Sequence, residues 1–394
     1  MSNIEIASIP PRRRRTNMRT RAAVTYGLNT PFDVKEVELG EPAPNEVMVH
    51  LVASGICHSD MHHVTGDQIA QLPMIFGHEG AGIVEQVGAN VTHVAPGDHV
   101  VMSYLPSCGT CRWCTNGQTN LCDLGAYTVQ GPQLDGTYRF RDDDGVQLGQ
   151  FCLVSTFSEW TVVPAQSVVK VDTHYRLERA CLVACGVTTG VGTAIYRGGV
   201  EPGDDVMVYG VGGIGMNIVQ GARIAGAKRI IACDTNDWKL EQAKIFGATH
   251  TVNPNVTDPV EFVTELTWGV GADKAFEAIA TPETIGQAVR SVRKGGVAAV
   301  VGLTRHDQPE IPINPSDFVL WQKTLTGSLN GGCNPRNDIP KMLKLWDSGQ
   351  LNLDDLVTRE YRIEQINEAY DDLLAGKNLR GVIRYEWADN GVDH

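Results

Sequence analysis

Residues 204–236, DDVMVYGVGGIGMNIVQGARIAGAKRIIACDTN, decide the fold of this chain. An apolar run that ends at Tyr209 is typical of a buried parallel strand, and a helix is predicted over residues 216–225. A second apolar run, residues 229–233, ends on Asp234. The loop between the first strand and the helix carries four glycines, Gly210, Gly212, Gly213 and Gly215.

This order of strand, glycine loop, helix, strand and acid predicts a dinucleotide site. Glycines permit the tight turn and let the backbone approach a pyrophosphate at the helix N-terminus. The carboxylate of Asp234 is expected to accept hydrogen bonds from the adenosine ribose hydroxyls. The next residues, Thr235 and Asn236, offer no cation for a 2′-phosphate, so NAD is favoured over NADP.

Apolar strands alternate with amphipathic helices over residues 187–329, which predicts a doubly wound parallel sheet of the Rossmann type. The predicted strands are residues 206–209, 229–233, 274–277, 297–302 and 324–328. Residues 20–186 show short strands punctuated by Gly and Pro, as in a twisted, barrel-like lobe. Residues 330–394, with helices near 338–348 and 363–375, return to that lobe. A cleft between the two lobes is the expected place for a ligand.

A four-cysteine loop lies at residues 105–123, LPSCGTCRWCTNGQTNLCD. Its spacing, C-x2-C-x2-C-x7-C, lets four thiolates converge on one structural zinc ion. Two disulfides, or an iron–sulfur cluster, are the alternatives for such a set. The predicted zinc ligands are Cys108, Cys111, Cys114 and Cys122.

A second set of soft ligands is spread along the chain. GICHSDMHH (55–63) supplies Cys57, IFGHEGAGIVEQVG (75–88) supplies His78, and LVACGVTTG (182–190) supplies Cys185. Two thiolates and one imidazole leave a fourth zinc position for substrate. Taken singly, a buried Cys is more often a small hydrophobe and a buried His a core residue. Together with the four-cysteine loop, they predict a catalytic zinc site.

Composition limits the function classes. The net charge of −13 argues against binding to nucleic acid or to an anionic membrane. The basic start, IPPRRRRTNMRTR, lacks a following apolar segment and is expected to be a flexible arm over residues 1–20. Ten cysteines, of which Cys152, Cys181, Cys233 and Cys333 are outside both predicted zinc sites, indicate a reducing cytoplasm.

These stretches together resemble the zinc-dependent medium-chain alcohol dehydrogenases from about residue 20 to residue 385. CRWCTNGQTNLCDLGA, QLDGTYRF, FCLVSTFSEW and GKNLRGVI resemble more narrowly an actinobacterial branch, dependent on the artificial acceptor nitrosodimethylaniline because its NAD does not exchange. The resemblance implies a GroES-like catalytic domain at 1–186 that carries both zinc sites, an NAD-binding domain at 187–329, and a return to the catalytic domain at 330–394.

The resemblance also implies roles for single residues. Ser59 would pass the alcohol proton, through the nicotinamide ribose, to His62. His62 could instead be a surface residue, and only the family register separates it from His63. Asp60 would orient His78, and Glu79 would lie behind the zinc. Four further residues would contact NAD: His58 and Arg380 near the pyrophosphate, Lys239 near the adenosine ribose, and Thr189 near the nicotinamide.

The pocket positions of the family carry Tyr104, Tyr127, Phe151 and Leu303, which suggests a primary or aromatic alcohol or aldehyde as substrate, unless some are core residues. One alternative function is oxidation of a thiol adduct of formaldehyde, formed with glutathione or mycothiol. A second alternative is that the protein binds NAD without catalysing a reaction. The resemblance implies a homodimer or homotetramer and, for the retained NAD, an external electron acceptor.

Overall fold

The computed structural model describes residues 18–308 and 310–389. The run of arginines in the predicted basic arm lies outside these residues. Residues 18–20, which the sequence analysis includes in the arm, are instead the start of the first strand, Met18–Thr25. They pair with residues 37–39 in antiparallel register, and Thr20 is buried.

The first lobe contains ten strands before the glycine loop. They are β1 (Met18–Thr25), β2 (Asp33–Leu39), β3 (Glu46–Gly55), β4 (Met74–Ile75), β5 (Glu79–Val87), β6 (His99–Met102), β7 (Phe140–Arg141), β8 (Gln147–Gln150), β9 (Trp160–Pro164) and β10 (Val168–Lys170). Strands β1, β2, β7, β8 and β4 close into a small barrel, and β10, β6, β5 and β3 form a neighbouring sheet that β9 joins by pairing with β3. The helices of this part are α1 (His58–Val64), α2 (Arg112–Thr115), α3 (Leu177–Ala180) and α4 (Gly186–Gly192).

The second lobe is a six-stranded parallel sheet. Its strands are β11 (Asp205–Tyr209), β12 (Arg229–Cys233), β13 (His250–Val252), β14 (Ala272–Glu277), β15 (Val292–Val300) and β16 (Thr324–Gly327). The spatial order β13-β12-β11-β14-β15-β16 reverses direction between β11 and β14, as in a doubly wound sheet. The helices between the strands are α5 (Gly213–Ile224), α6 (Asp237–Phe246), α7 (Pro259–Leu266), α8 (Pro282–Ser291) and α9 (Pro315–Leu320). The predicted fold class is confirmed.

Two predicted element boundaries were wrong. The strand predicted over 297–302 begins at Val292, because a register shift opposite Ala272 and Lys274 lets the polar, glycine-containing segment 293–296 stay beside the sheet. The helix predicted from residue 216 begins at Gly213, because Gly212 is its N-cap and the last glycines of the loop form the first helical turn.

The C-terminal part returns to the first lobe. Helix α10 (Pro335–Asp347) and strand β17 (Val357–Tyr361) are followed by α11 (Ile366–Leu374) and β18 (Arg380–Arg384). Strand β18 pairs with β17 and, in antiparallel register, with β3, so the chain end completes the first lobe's sheet. Across the described residues no single helix is long and apolar enough to cross a membrane; only a bent pair, Leu177–Ala184 with Gly186–Arg197, reaches that length and composition by joining two pieces at 53°.

Candidate functional site

Four buried side chains meet where the two lobes join. One donor atom from each of Cys57, His78, Glu79 and Cys185 lies within 4.8 Å of the others. Cys57 is the N-cap of α1, His78 and Glu79 stand at the start of β5, and Cys185 is the N-cap of α4. The fold therefore brings together residues that are up to 128 positions apart in the sequence.

Asp60 orients His78. Its Oδ1 atom lies 3.1 Å from Nδ1 of His78 and accepts the N–H of Gly77 at 2.9 Å. Burial opposes protonation of His78, but Asp60 and the two cysteines outweigh burial and raise its pKa. Because Asp60 occupies Nδ1, only Nε2 of His78 is free to bind a metal.

The thiols of Cys57 and Cys185 shift each other's pKa in opposite directions. A hydrogen bond with Cys185 lowers the pKa of Cys57 well below its ordinary value, and the same contact raises the pKa of Cys185. A metal that needs two thiolates would remove the shared proton.

Glu79 and Arg380 form a buried ion pair behind the cysteines. Glu79 also accepts the N–H of Gly186 at 3.2 Å, and Arg380 donates to the carbonyl of Ile56 at 3.1 Å. Burial raises the pKa of Glu79, and the charge of Arg380 opposes that shift. Arg380 was predicted near the pyrophosphate; its guanidinium is bound to Glu79, and its aliphatic part lies against Gly213 of the glycine loop.

The structure distinguishes the three polar residues of α1 that the sequence proposed for proton transfer. Ser59 Oγ lies 3.5 Å from Cys57 Sγ and lines the cleft. His62 is partly exposed, and its Nδ1 lies 3.4 Å from Asp67 Oδ2. His63 is buried; its Nδ1 lies 3.0 Å from the carbonyl of Ile69. His62 is the more exposed of the two histidines, whereas His63 is the one that lines the cleft.

The four-cysteine loop wraps into a knuckle beside this site. The sulfurs of Cys108, Cys111, Cys114 and Cys122 lie within 4.8 Å of one another. The separations from Cys108 to Cys114 and from Cys111 to Cys122 are 3.9 and 4.0 Å, about twice a disulfide bond. The N–H of Thr110 lowers the pKa of Cys108 to about 6, which favours a thiolate. This donor set suits a metal in tetrahedral coordination.

The glycine loop has the shape that a pyrophosphate requires. Gly210 has a φ of +81°, and a Cβ at Gly215 would lie 1.8 Å from the carbonyl oxygen of Gly210, so neither position tolerates a side chain. Around Gly212, at the N-terminus of the 12-residue helix α5, a Cβ would meet nothing within 4 Å. The backbone there is open to an anionic group.

Asp234, at the end of β12, is tied to the glycine loop. Its Oδ2 accepts the N–H of Val211 at 3.0 Å, and its Oδ1 accepts the N–H of Asn236 at 3.0 Å. Lys239 lies in the first turn of α6, where a Cβ at Gly376 would be 3.6 Å from its Nζ. Both residues stand at the carboxyl edge of the sheet, as a ribose site requires.

His58 and Thr189 belong to two different helices, α1 and α4. His58 begins α1, and its ring centroid is 4.9 Å from that of His62. Thr189 is a buried residue of α4 that lines the cleft. Their contacts with a cofactor stay predictions.

A cleft of about 960 Å³ runs outward from the cluster of Cys57, His78, Glu79 and Cys185. Ser59, His78 and Cys185 line its buried end. Tyr104, Phe151 and Leu303 line its walls, as the resemblance implied, whereas Tyr127 is not among the lining residues and is 41% exposed. The walls are predominantly apolar, so the cleft fits an uncharged organic group next to the cluster.

A strained turn, which the sequence analysis missed, holds Phe151 in the wall. Cys152, Leu153 and Ser155 have φ values of 53°, 63° and 45°. The hydroxyl of Ser155 accepts the N–H of Phe151 at 3.1 Å and donates to the carbonyl of Ile75 at 2.6 Å. No glycine marks these positions, so the sequence carries no signal for the turn.

Two family models match the chain. One, described as an alcohol dehydrogenase GroES-like domain, matches residues 43–173. The other, described as a zinc-binding dehydrogenase, matches residues 213–348. The two matches fall on the lobe with the cysteine knuckle and on the lobe with the glycine loop.

Characterised proteins match over nearly their whole length. The NDMA-dependent alcohol dehydrogenase of Amycolatopsis methanolica is 44% identical, with 93% of this chain and 99% of that protein covered. Alcohol dehydrogenase B of Mycobacterium tuberculosis is 43% identical, with the same coverage. The crystal structure of benzyl alcohol dehydrogenase from Acinetobacter calcoaceticus is 31% identical, with a TM-score of 0.88 over 93% of this chain and 99% of that one.

Proposed function

This chain belongs to the zinc-binding alcohol dehydrogenase family, and we propose that it oxidises a primary or aromatic alcohol to its aldehyde, reversibly, with NAD as hydride acceptor. One observation carries the proposal. Two thiols, an imidazole and the Ser59 hydroxyl meet at the buried end of a cleft, and the open glycine loop stands at the start of α5 in the adjoining lobe.

The residues fit two zinc ions with different roles. Cys57, His78 and Cys185 would hold a catalytic ion, with Glu79 behind it, and the four cysteines of the knuckle a structural ion. His78 supports this assignment, since Asp60 leaves it one free ring nitrogen. The knuckle offers four thiols, which fill a tetrahedral coordination shell and leave no position for a substrate, and this supports a structural role.

The residues also fit NAD. Gly212 leaves the helix N-terminus open, and Asp234 presents a carboxylate at the strand end, where a 2′-phosphate would meet a like charge. Arg380 supports the loop through its packing against Gly213, and a place for Arg380 near the pyrophosphate remains part of the proposal.

When bound, zinc supplies Lewis-acid polarisation of the alcohol oxygen and NAD accepts the hydride. The chain's own residues handle the proton. Ser59 stands at the edge of the cluster to receive it, and His62 exchanges it with solvent beside Asp67. No hydrogen bond joins Ser59 to His62 within the described chain, so the transfer needs a further hydroxyl between them. Tyr104 and Phe151 keep bulk water from the cluster.

The direct test incubates zinc-replete protein with benzyl alcohol and NAD. We expect stoichiometric benzaldehyde and reduced nicotinamide, measured by chromatography and by absorbance. Cys185→Ala should form neither product, while Cys333→Ala, a buried cysteine outside both clusters, should form both. Absence of aldehyde from wild-type protein shown to hold zinc and cofactor would overturn the proposal.

We propose further that NAD stays bound between turnovers and that an external acceptor reoxidises it, which the likeness to an NDMA-dependent relative supports. Exhaustively dialysed protein should then retain NAD, and alcohol alone should reduce it once. An artificial acceptor such as nitrosodimethylaniline should restore steady turnover without added NAD. Sustained reduction of free NAD would contradict retention and leave an exchanging dehydrogenase.

A homo-oligomer, dimer or tetramer, is the proposed assembly. Helix α9 and the residue after it expose Val319 (73%), Leu320 (78%) and Trp321 (40%) next to β16, the edge strand of the parallel sheet. A second copy would cover this apolar edge. Light scattering should give a multiple of 42.8 kDa, and Leu320→Glu should reduce it.

A further inference from the structure

The cleft has an uneven charge distribution. Its inner end is deeply buried, whereas its outer end includes Leu329 (46% exposed) and Tyr196 (40% exposed). Among the described lining residues there is no Asp or Glu, and Arg197 is the single Lys or Arg. The chain has a net charge of −13, so the one permanent charge of the cleft is opposite in sign to that of the protein as a whole.

Arg197 is held in place without being neutralised. Its Nε donates to the carbonyl of Gly327 at 3.1 Å, and its Nη2 donates to the hydroxyl of Thr326. No ion pair involves Arg197 in the part of the chain that the structure describes. A guanidinium has five N–H donors, so these two bonds leave donors free. The side chain is therefore oriented by neutral acceptors and keeps its charge available.

Lys341, a neighbouring cation, has its own hydrogen-bond partner. Nζ of Lys341 donates to the Tyr196 hydroxyl at 2.8 Å, and that hydroxyl donates to Asp338 at 3.0 Å. Arg197 ends a π-helical turn, Thr193–Arg197, a conformation that is rare and often found at functional sites. The turn places Arg197 at the cleft, while Lys341 is not among its lining residues.

We propose that Arg197 is an anchor for a carboxylate at the far end of the substrate, so that the preferred alcohols are ω-hydroxy acids or carboxyl-substituted aromatic alcohols. This inference rests on the proposed function and names its substrate class. A single cation with free donors in one plane matches a carboxylate, which accepts two parallel N–H bonds. The absence of a second lining cation favours a monoanion over a phosphate.

The test compares ω-hydroxy acids of increasing chain length with the matched neutral alcohols. The measured quantity is the ratio of kcat/KM for the acid to kcat/KM for the neutral alcohol. In wild type this ratio should exceed one and peak at the length that spans the cleft. Arg197→Gln should lower the peak ratio about tenfold, as expected for loss of one charge-assisted pair. Arg197→Lys should retain most of it.

Lys341→Gln is the matched control, since it removes a nearby positive charge that does not line the cleft; its ratio should equal that of wild type. An equal fall in Lys341→Gln, or no fall in Arg197→Gln, would overturn the anchor. Calorimetric titration of the zinc-loaded variants with the hydroxy acid measures binding of the acid without turnover. It therefore tests the carboxylate anchor separately from the proposed oxidation of alcohols. If neither the hydroxy acids nor the neutral alcohols are oxidised, the proposed function fails. If the affinity for the hydroxy acid is also the same in Arg197→Gln as in wild type, the anchor is overturned as well.

Discussion

The buried guanidinium of Arg380 donates to the carboxylate of Glu79, and this pair joins the metal-ligand cluster to the glycine loop. Glu79 also binds the N–H of Gly186, the residue after Cys185. On its other side, Arg380 packs so closely under Gly213 that a Cβ there would lie 2.6 Å from its Cδ. One ion pair thus contacts both the residue next to Cys185 and the glycine loop.

Removing one partner of the Arg380–Glu79 pair should destabilise the folded protein. We expect Glu79→Leu to lower the free energy of unfolding by about 3–5 kcal/mol, because it leaves the Arg380 charge buried without a partner. Urea unfolding of zinc-loaded protein measures the effect. The double variant Glu79→Leu/Arg380→Met should recover much of the loss, since it removes both charges.

The surface pair of Arg176 and Asp354 provides the control. Both side chains are about half exposed, 48% and 49%. Arg176→Met should therefore change the free energy of unfolding by less than about 1 kcal/mol. If Glu79→Leu were no more destabilising than Arg176→Met, the Arg380–Glu79 pair would not be an organising contact of this site.

The cysteine knuckle predicts a second metal that stabilises the fold. Cys111→Ala should lower the zinc content from two ions per chain to one and reduce thermal stability, because zinc binding contributes to folding of the loop. Cys333→Ala should retain both ions, because Cys333 belongs to neither group of potential metal ligands. Elemental analysis that finds two ions in Cys111→Ala, or fewer than two in wild type, would contradict the assignment.

Local patterns made part of the site predictable from the sequence. The glycine loop and the knuckle are each contained within about thirty residues, so residue spacing alone indicates their geometry. The meeting of Cys57, His78 and Cys185 depends on how three distant segments fold. Their residue types and the presence of the four-cysteine loop indicated it, and the resemblance to a family supported it. The family register also gave His62 over His63, a choice that spacing cannot make and that stays a prediction.

Other features carry no local signal. The partnership of Arg380 with Glu79 spans 301 positions, so no local pattern marks it, and the place of Arg380 near the pyrophosphate stays a prediction. The left-handed residues Cys152 and Ser155 are not glycines, so nothing in their sequence marks the turn. Arg197 resembles an ordinary surface arginine until the cleft that contains it is known.

Cofactor choice should depend on Asp234. Asp234→Gly combined with Thr235→Arg should shift the ratio of NADP to NAD affinity toward NADP by about tenfold or more, since a like charge is removed and a cation added. The glycine also deletes the acceptor for Val211, so weaker NAD binding is expected as well. Titration of cofactor-free protein measures both constants. Asp237→Asn, in the next helix, should leave the ratio unchanged; equal use of NADP by wild type would contradict the role of Asp234.

A stacked histidine predicts acid sensitivity. His50 lies between Trp160 and Trp387, with ring centroids 3.6 Å away on both sides. Burial lowers the pKa of His50 to about 3. The unfolded chain titrates near pH 6.5, so the stability contributed by neutral His50 is present above about pH 6.5 and is lost as the pH falls toward 3.

His50→Phe should remove this pH dependence while keeping the stack. Between pH 7 and pH 5, wild type should lose up to about 2 kcal/mol more unfolding free energy than the variant. Urea unfolding at the two pH values, followed by tryptophan fluorescence, measures the difference. Identical losses in the two proteins would mean that the indole faces stabilise protonated His50 as strongly as burial disfavours it.

Adjacent histidines on α1 should give opposite phenotypes. His62→Gln should lower kcat by about tenfold to a hundredfold with little change in unfolding free energy, because it removes a partly exposed imidazole from the proton path. Added imidazole buffer should restore part of the rate, which loss of a merely structural residue would not allow. His63→Gln should chiefly destabilise the protein, since the buried ring of His63 packs 4.8 Å from that of Phe151 and bonds to the carbonyl of Ile69. A normal kcat in His62→Gln, or imidazole rescue of His63→Gln instead, would reassign the proton path to the buried histidine.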